Sequence, residues 1–268
     1  MPTESRPTGT CPADAFPTDT FAPDAFLGGR LHLRQPAGLQ RAGSDAVLLA
    51  AAVPALSGQR VVEIGTGTGA AALCLLARVA GTAVTGVELQ ADAALAAAQN
   101  AAANGLAVRF RVICADALRP AFRRRLGHAV FDHAMANPPF FAATGRRPAE
   151  SPARERARAE SAAGDLAAWV AVLAHLVRPG GTVTVIQRIE RLPDLLAAFP
   201  GGGRGLAAAP LWPRSGQPAK RVLLRWRKDG RAPFRLGPGM VLHGGDGRYL
   251  PVAEAVLRDG AAIPDTAF

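Results

Sequence analysis

Arg60-Val61-Val62-Glu63-Ile64-Gly65-Thr66-Gly67-Thr68-Gly69 is the stretch whose reading decides the fold. Its first half is a short apolar run of β-branched residues, which reads as a buried strand. Its second half sets glycines at alternate positions, Gly65, Gly67 and Gly69, so the backbone can turn tightly and a ligand can approach without meeting a Cβ. An apolar helix is expected from Ala70 to about Val79. A second strand, Ala83 to Val87, ends in Glu88. A helix opened by Asp92 runs to about Ala103, and a third strand, Val108 to Cys114, leads to Asp116. Strand, glycine loop, helix, strand with terminal acid, helix, strand with terminal acid is the order of a parallel, doubly wound α/β sheet. Glu88 falls 19 residues beyond Gly69, the separation at which a nucleoside-binding half places a carboxylate on a ribose diol. Asp116 can accept from an adenine amino group one strand further on, and a solvated strand-end acid is the alternative reading.

The fourth strand lies in Val130 to Ala136 and runs into Asn137-Pro138-Pro139-Phe140-Phe141. Neither proline can donate to a sheet ladder, so the backbone leaves the sheet just after Asn137. An amide is thereby set at the carboxyl end of a strand, where open α/β sheets bind ligands. Phe140 follows in a proline-stiffened turn, suited to stacking on a flat group.

Working outward, residues 1 to 25 carry Pro, Thr, Ala and Asp without periodicity and read as a disordered leader. Two short β segments around Gly28-Gly29 follow, then a polar loop. Ser44 or Asp45 is placed to cap a helix from Ala46 to Ala55 that would close one wall of a ligand cleft. Past the fourth strand, Ala142 to Asp165 is long for a connection and mixes Arg154, Arg158 and other arginines with acids. A lid and a solvated surface both fit it. A helix from Leu166 to Val177, a strand through Gln187, a short helix from Leu192 to Phe199 and a strand near Leu206 to Trp212 come next. In Lys220 to Lys228, Val222, Leu224 and Trp226 alternate with Arg221, Arg225 and Arg227. A phosphate-facing edge strand and an edge defended by charge both fit that pattern. Tyr249 to Leu257 reads as a short helix packing back on the body.

The bulk numbers bound the function. At 268 residues with 49% apolar side chains the chain can build one large domain. A net charge of +10, from 31 basic and 21 acidic residues, fits either an arginine-rich composition or a polyanionic partner such as nucleic acid. Three cysteines cannot form a disulfide framework, and Cys74 and Cys114 read as buried small hydrophobes. The five histidines lack ligand spacing, so no metal site is expected. No apolar run approaches membrane-spanning length and no signal-peptide order appears, which makes a reducing cytoplasm the expected compartment. Oligomeric state is not legible.

With the Glu63-to-Gly69 loop, Glu88, Asp116 and Asn137-Pro138-Pro139-Phe140 in hand, the chain resembles the class I S-adenosylmethionine-dependent methyltransferases. Within them it is most similar to the bacterial valine-tRNA adenine-N6 methyltransferase family, over roughly residues 26 to 260. Gly43-Ser44-Asp45-Ala46-Val47-Leu48-Leu49, Ser151-Pro152-Ala153-Arg154-Glu155-Arg156-Ala157-Arg158 and Lys220-Arg221-Val222-Leu223-Leu224 carry the closer likeness. The resemblance implies a Rossmann-like, mostly parallel seven-stranded sheet with an antiparallel last strand. Residues 26–56 would be an N-terminal extension and 57–268 the catalytic domain. It further implies S-adenosylmethionine as cofactor, held by Asp45, Glu63, Gly65, Gly67, Gly69, Glu88, Asp116 and Asn137. Glu63 would lie near the cofactor's ammonium, Glu88 on its ribose and Asp116 on its adenine.

Catalysis would fall to Asn137, Pro138, Pro139 and Phe140, and a tRNA or other RNA would be met by Phe141, Arg154, Arg158, Lys220 and Arg221. The amide oxygen of Asn137 and the carbonyl of Pro138 can each accept one N–H of a planar amino group, which otherwise donates its lone pair to the ring. Adenine in ribosomal RNA or DNA and a protein glutamine amide pose the same chemical problem and remain rival acceptors. An NAD-type oxidoreductase on the same glycine loop leaves Asn137 to Phe140 without a role.

Overall fold

The computed structural model describes residues 23–139 and 166–268. The N-terminal segment forms β1 (Asp24–Phe26) and β2 (Leu31–Leu33), an antiparallel pair, followed by α1 (Ser44–Ala52). Then come β3 (Arg60–Ile64), α2 (Ala70–Arg78), β4 (Ala83–Glu88), α3 (Ala91–Ala103), β5 (Phe110–Cys114), α4 (Pro120–Leu126) and β6 (Phe131–Ala136). Beyond residue 165 the order is α5 (Leu166–Leu176), β7 (Val177–Arg188), α6 (Leu192–Ala198), β8 (Leu206–Arg214), β9 (Arg221–Arg227), β10 (Arg235–Leu236), β11 (Met240–His243) and α7 (Pro251–Leu257).

Nine strands form the main sheet in the order β10-β8-β9-β7-β6-β3-β4-β5, with β11 also paired to β8. Strands β3 to β7 are mutually parallel, and β9 runs antiparallel to both β7 and β8. Because β3 pairs with β4 on one side and β6 on the other, the winding reverses beside β3, and a crevice opens at the carboxyl edge there. Val62, Ile64, Ala134, Ala136, Val183 and Val185 pack with α5 and α6 on one face of the sheet. Val61, Val84, Met135 and Ile186 pack with α1, α2 and α7 on the other. Strands covered on both faces are rich in apolar residues, which is why β3 and β6 are visible in the sequence despite Glu63 in the one and Asp132-His133 in the other.

Two asparagines on α3 bind the N-terminal extension to this body. Asn100, 2% exposed, accepts from the backbone N–H of Arg34 (2.8 Å) and donates to the carbonyls of Arg34 and Thr68 (both 3.0 Å). Asn104 accepts from the N–H of His32 (3.0 Å) and donates to its carbonyl (2.8 Å). The extension is thereby tied to Thr68 of the glycine loop itself.

Several expectations are corrected. β1 begins at Asp24, inside the span read as leader; residues 1–22 lie outside the described residues. α1 starts at Ser44, with Gly43 as its N-cap and no side-chain cap, and ends at Ala52 rather than Ala55. β5 starts at Phe110, because Val108 is fully exposed before it. α4, which carries Arg123 and Arg124, has too little apolar periodicity to announce itself. The Arg221–Arg227 strand is not an edge: β7 and β8 flank it, and the weakly patterned β10 and β11 extend the sheet beyond seven strands. Its Arg225 is turned into the fold, donating to Asp265 (2.7 Å) and the carbonyl of Ala52 (2.6 Å) above the Phe268 ring. Cys74 is buried as expected, whereas Cys114 is partly exposed.

Candidate active site

The carboxyl edge of the parallel strands brings together residues widely separated in sequence. The glycine loop leaves β3 and crosses to β4, where the N–H groups of Gly65 (2.8 Å) and Thr66 (3.1 Å) donate to the carbonyl of Val87. Gly65, Gly67 and Gly69 all have positive φ, at 70°, 56° and 87°. A side chain on Gly65 would stand 2.8 Å from the Trp169 ring of α5, and one on Gly69 would press on Phe110 and Ala97. A side chain on Gly67 would meet nothing within 4 Å, so the middle of the loop faces open space that a ligand can occupy.

Two carboxyl groups touch this loop, and a third stands beyond the end of β5, two strands from β3. Glu63, 3% exposed, accepts from the Thr66 hydroxyl (2.6 Å) and the Ala72 N–H (3.1 Å), both on Oε2. Burial pushes its pKa from 4.5 up to about 8 against the pull of those two donors, and the negative field of Glu88 adds to the rise. Glu88, 8% exposed, takes the Gly67 N–H on Oε2 (2.8 Å) and the Gln90 N–H on Oε1 (2.9 Å), so it braces the loop from the end of β4. Asp116, two residues beyond β5, accepts from the Leu118 N–H (2.9 Å) and lies 3.4 Å from Arg119 Nε.

At the end of β6 stand Asn137, Pro138 and Pro139. Asn137 Oδ1 is buried and has no hydrogen-bond partner among the described residues. An amide oxygen removed from water and left bare costs on the order of 1–3 kcal/mol, so this position suits an N–H donor that none of the described residues supplies. The neighbouring Pro138 carbonyl accepts from Gln187 Nε2 at 3.1 Å. Gln187 is fully buried near the end of β7, and its own Oε1 takes the Arg188 N–H (2.9 Å). Sequence reading used Gln187 only as a strand end. The available signal was an amide closing the run Val183-Thr184-Val185-Ile186, one strand away from another amide.

Asp45 and Arg221, expected on the cofactor and the RNA sides respectively, meet in one ion pair at 2.9 Å although 176 residues separate them. Lys220 is exposed, and its carbonyl accepts from the Ile189 N–H (3.2 Å) just past β7. Phe140, Phe141, Arg154 and Arg158 lie outside the described residues. Among the described residues no cluster of His, Cys, Asp and Glu could hold a metal ion, and no helix is long and apolar enough to cross a membrane.

The open Gly67, the strand-end carboxyl groups and the bare Asn137 oxygen fit a ligand that brings hydroxyls, amino groups and positive charge. Comparison with known proteins gives the family. Residues 41–151 match the methyltransferase small domain. The tRNA1(Val) (adenine(37)-N6)-methyltransferase of Porphyromonas gingivalis is 31% identical over 233 residues, covering 83% of this chain and 89% of that protein. Its namesake in Dickeya chrysanthemi is 30% identical over 234 residues, covering 82% and 87%. The crystal structure of a predicted O-methyltransferase from Agrobacterium tumefaciens superposes with a TM-score of 0.68 at 25% identity, covering 82% of this chain and 98% of that one.

Proposed function

The chain belongs to the tRNA1(Val) (adenine(37)-N6)-methyltransferase family, and on that premise we propose that it methylates the exocyclic N6 of an adenine in valine tRNA. S-adenosylmethionine is the proposed donor, and it supplies the methyl group as an electrophilic carbon on a positively charged sulfur. The proposal gives residues 57–268 the methyl transfer and residues 26–56 the closing of the cleft. Glu88 holds the ribose hydroxyls from the end of β4, where it also braces the glycine loop, and Asp116 accepts from the adenine of the cofactor. The methionine portion lies against bare backbone at Gly67, while Gly65 and Gly69 shape the loop beneath it by packing on Trp169, Phe110 and Ala97; Glu63 faces its ammonium group, and Asp45 closes the cleft.

The observation that carries the reading is the buried, unpartnered Asn137 oxygen beside a Pro138 carbonyl already oriented by Gln187. In the proposed mechanism these two oxygens each accept one N–H of the target amino group. The nitrogen is then drawn out of the base plane, and its lone pair becomes available for attack. Positioning and fixed dipoles carry the catalysis, and no strong base is required because the methylated amine sheds its proton readily to water. Pro139 stiffens the turn. Phe140 stacks on the extruded base, and Phe141, Arg154, Arg158, Lys220 and Arg221 are proposed to meet the RNA. A tRNA substrate makes the cytoplasm the proposed compartment.

The test is methyl transfer from labelled S-adenosylmethionine to unmodified bulk tRNA, followed by nucleoside analysis. Label in N6-methyladenosine supports the proposal. Label appearing only in ribosomal RNA or in a protein glutamine would overturn the substrate assignment.

A further inference from the structure

The β8–β9 hairpin has a lopsided charge. From Leu195 to Lys228 the chain carries seven cations and no carboxylate. Four of the seven are committed within the fold. Arg221 pairs with Asp45 and Arg225 with Asp265, while Arg227 donates to the carbonyl of Gly180 and Lys228 to those of Ala174 and Val177. Arg204 is exposed at the opposite end of the hairpin. Arg214 and Lys220 remain at its tip, exposed and without an ion pair among the described residues. Of the carboxylates on neighbouring segments, Glu190 lies 3.5 Å from Arg188 Nε, and Asp246, next to the Gly247 that the Arg214 guanidinium approaches, lies 4.0 Å from Arg248 Nε.

That tip stands at the carboxyl edge. Lys220 is bonded to Ile189, two residues beyond the Gln187 that holds Pro138, so it lies two strand spacings across the sheet and three residues along it from Asn137, about 14 Å away. Beside it an open groove of about 520 Å³ is lined by Trp212, Arg214, Gln217, Pro218 and Val241. Trp212 is anchored by its indole N–H to the carbonyl of Pro238 (3.1 Å), which fixes the ring in the groove wall. An anchored indole flanked by unmatched cations is the combination that holds an unpaired nucleotide, with the ring stacking on the base and the cations meeting phosphates.

We propose that this groove is an RNA subsite which takes an unpaired nucleotide flanking the methylated adenine, with Trp212 beneath its base and Arg214 and Lys220 on its phosphates. The inference rests on the tRNA reading above and adds a place on the protein to it.

The test measures binding of a fluorescently labelled valine anticodon stem-loop by anisotropy at several salt concentrations, alongside methyl transfer to the same RNA. Arg214→Ala combined with Lys220→Ala is expected to weaken binding about tenfold and to flatten the log–log salt slope by about 1.4, two single-strand phosphate contacts. Trp212→Ala should weaken binding by about fivefold or more without changing the slope, and Trp212→Phe should retain most of the affinity. Arg204→Ala with Arg231→Ala removes the same charge at the far end of the hairpin and should change binding less than about twofold. The groove assignment is overturned if the tip variants bind no worse than this control, or if Trp212→Ala binds as the unaltered chain does. Normal methylation by the unaltered chain, with variants that bind normally, would sink the groove alone. An unaltered chain that neither binds nor methylates the stem-loop would sink the tRNA reading with it.

Discussion

Replacing Gln187 by Leu should separate catalysis from cofactor binding. The side chain is fully buried, donates to the Pro138 carbonyl at 3.1 Å and accepts the Arg188 N–H at 2.9 Å. Leucine fills nearly the same space and makes neither bond. Each of the two lost bonds is worth about 1 kcal/mol net, and a Pro138 oxygen left bare adds about 1–3 kcal/mol, so the variant should be destabilised by roughly 3–5 kcal/mol. For a chain of this length that lowers Tm by roughly 6–20 °C. The kinetic effect follows from geometry. Without its donor the Pro138 carbonyl can swing away from the target amino group, and a misplacement of about 1 Å is worth on the order of a hundredfold in rate. Single-turnover methyl transfer to tRNA should fall by between about tenfold and a hundredfold, while calorimetric affinity for S-adenosylmethionine changes less than about threefold. Gln187→Glu should be as slow, because a carboxylate retains the acceptor for Arg188 and loses the donor to Pro138. A Gln187→Leu variant that remains folded and turns over within twofold of the unaltered rate would refute the positioning role.

The raised pKa of Glu63 makes a prediction about pH. An ordinary carboxyl loses its proton near 4.5, whereas in the fold Glu63 holds it to about 8. Between those values the folded chain binds a proton that the unfolded chain has released, so this group's contribution to stability falls as pH rises, by on the order of 1 kcal/mol per unit. Thermal melts of the unliganded protein should show Glu63→Gln gaining on the unaltered chain from pH 5 to pH 8, and parallel curves would refute the assignment. At the cleft wall, Asp45→Arg or Arg221→Asp alone should impair cofactor binding and turnover several-fold, and the double charge swap should restore about 1 kcal/mol of the loss. Strictly additive losses in that double-mutant cycle would mean the 2.9 Å pair does not couple the two elements.

The parallel half of the fold was legible because strands covered on both faces are rich in apolar residues and end in conspicuous ones. Val61 to Ile64 gives way to three glycines, Val87 to Glu88 and Ala136 to Asn137-Pro138-Pro139. What escaped depends on contacts distant in sequence. The alternating arginines of β9 look like a solvated edge, yet Arg225 is brought inside by Asp265, the Ala52 carbonyl and the Phe268 ring, all supplied from elsewhere in the chain. β10 consists of two exposed residues and has no pattern to read. Ser44 and Asp45 have the composition of a cap, but the tertiary partner Arg221 takes the Asp45 carboxylate. The tetrapeptide and its Asn137 were visible from local chemistry alone. Gln187, Asn100 and Trp169 were not, because each acts on a loop that folding brings to it.

Asn137→Ala bears most directly on the central claim, since it removes a buried amide oxygen that has no hydrogen-bond donor among the described residues. The decisive measurement pairs a titration of S-adenosylmethionine with single-turnover methylation of unmodified valine tRNA, on this variant and the unaltered chain. Cofactor affinity within about threefold and methyl transfer reduced by about two orders of magnitude or more is the predicted result. Undiminished methyl transfer, or cofactor binding that collapses in step with it, would contradict the account.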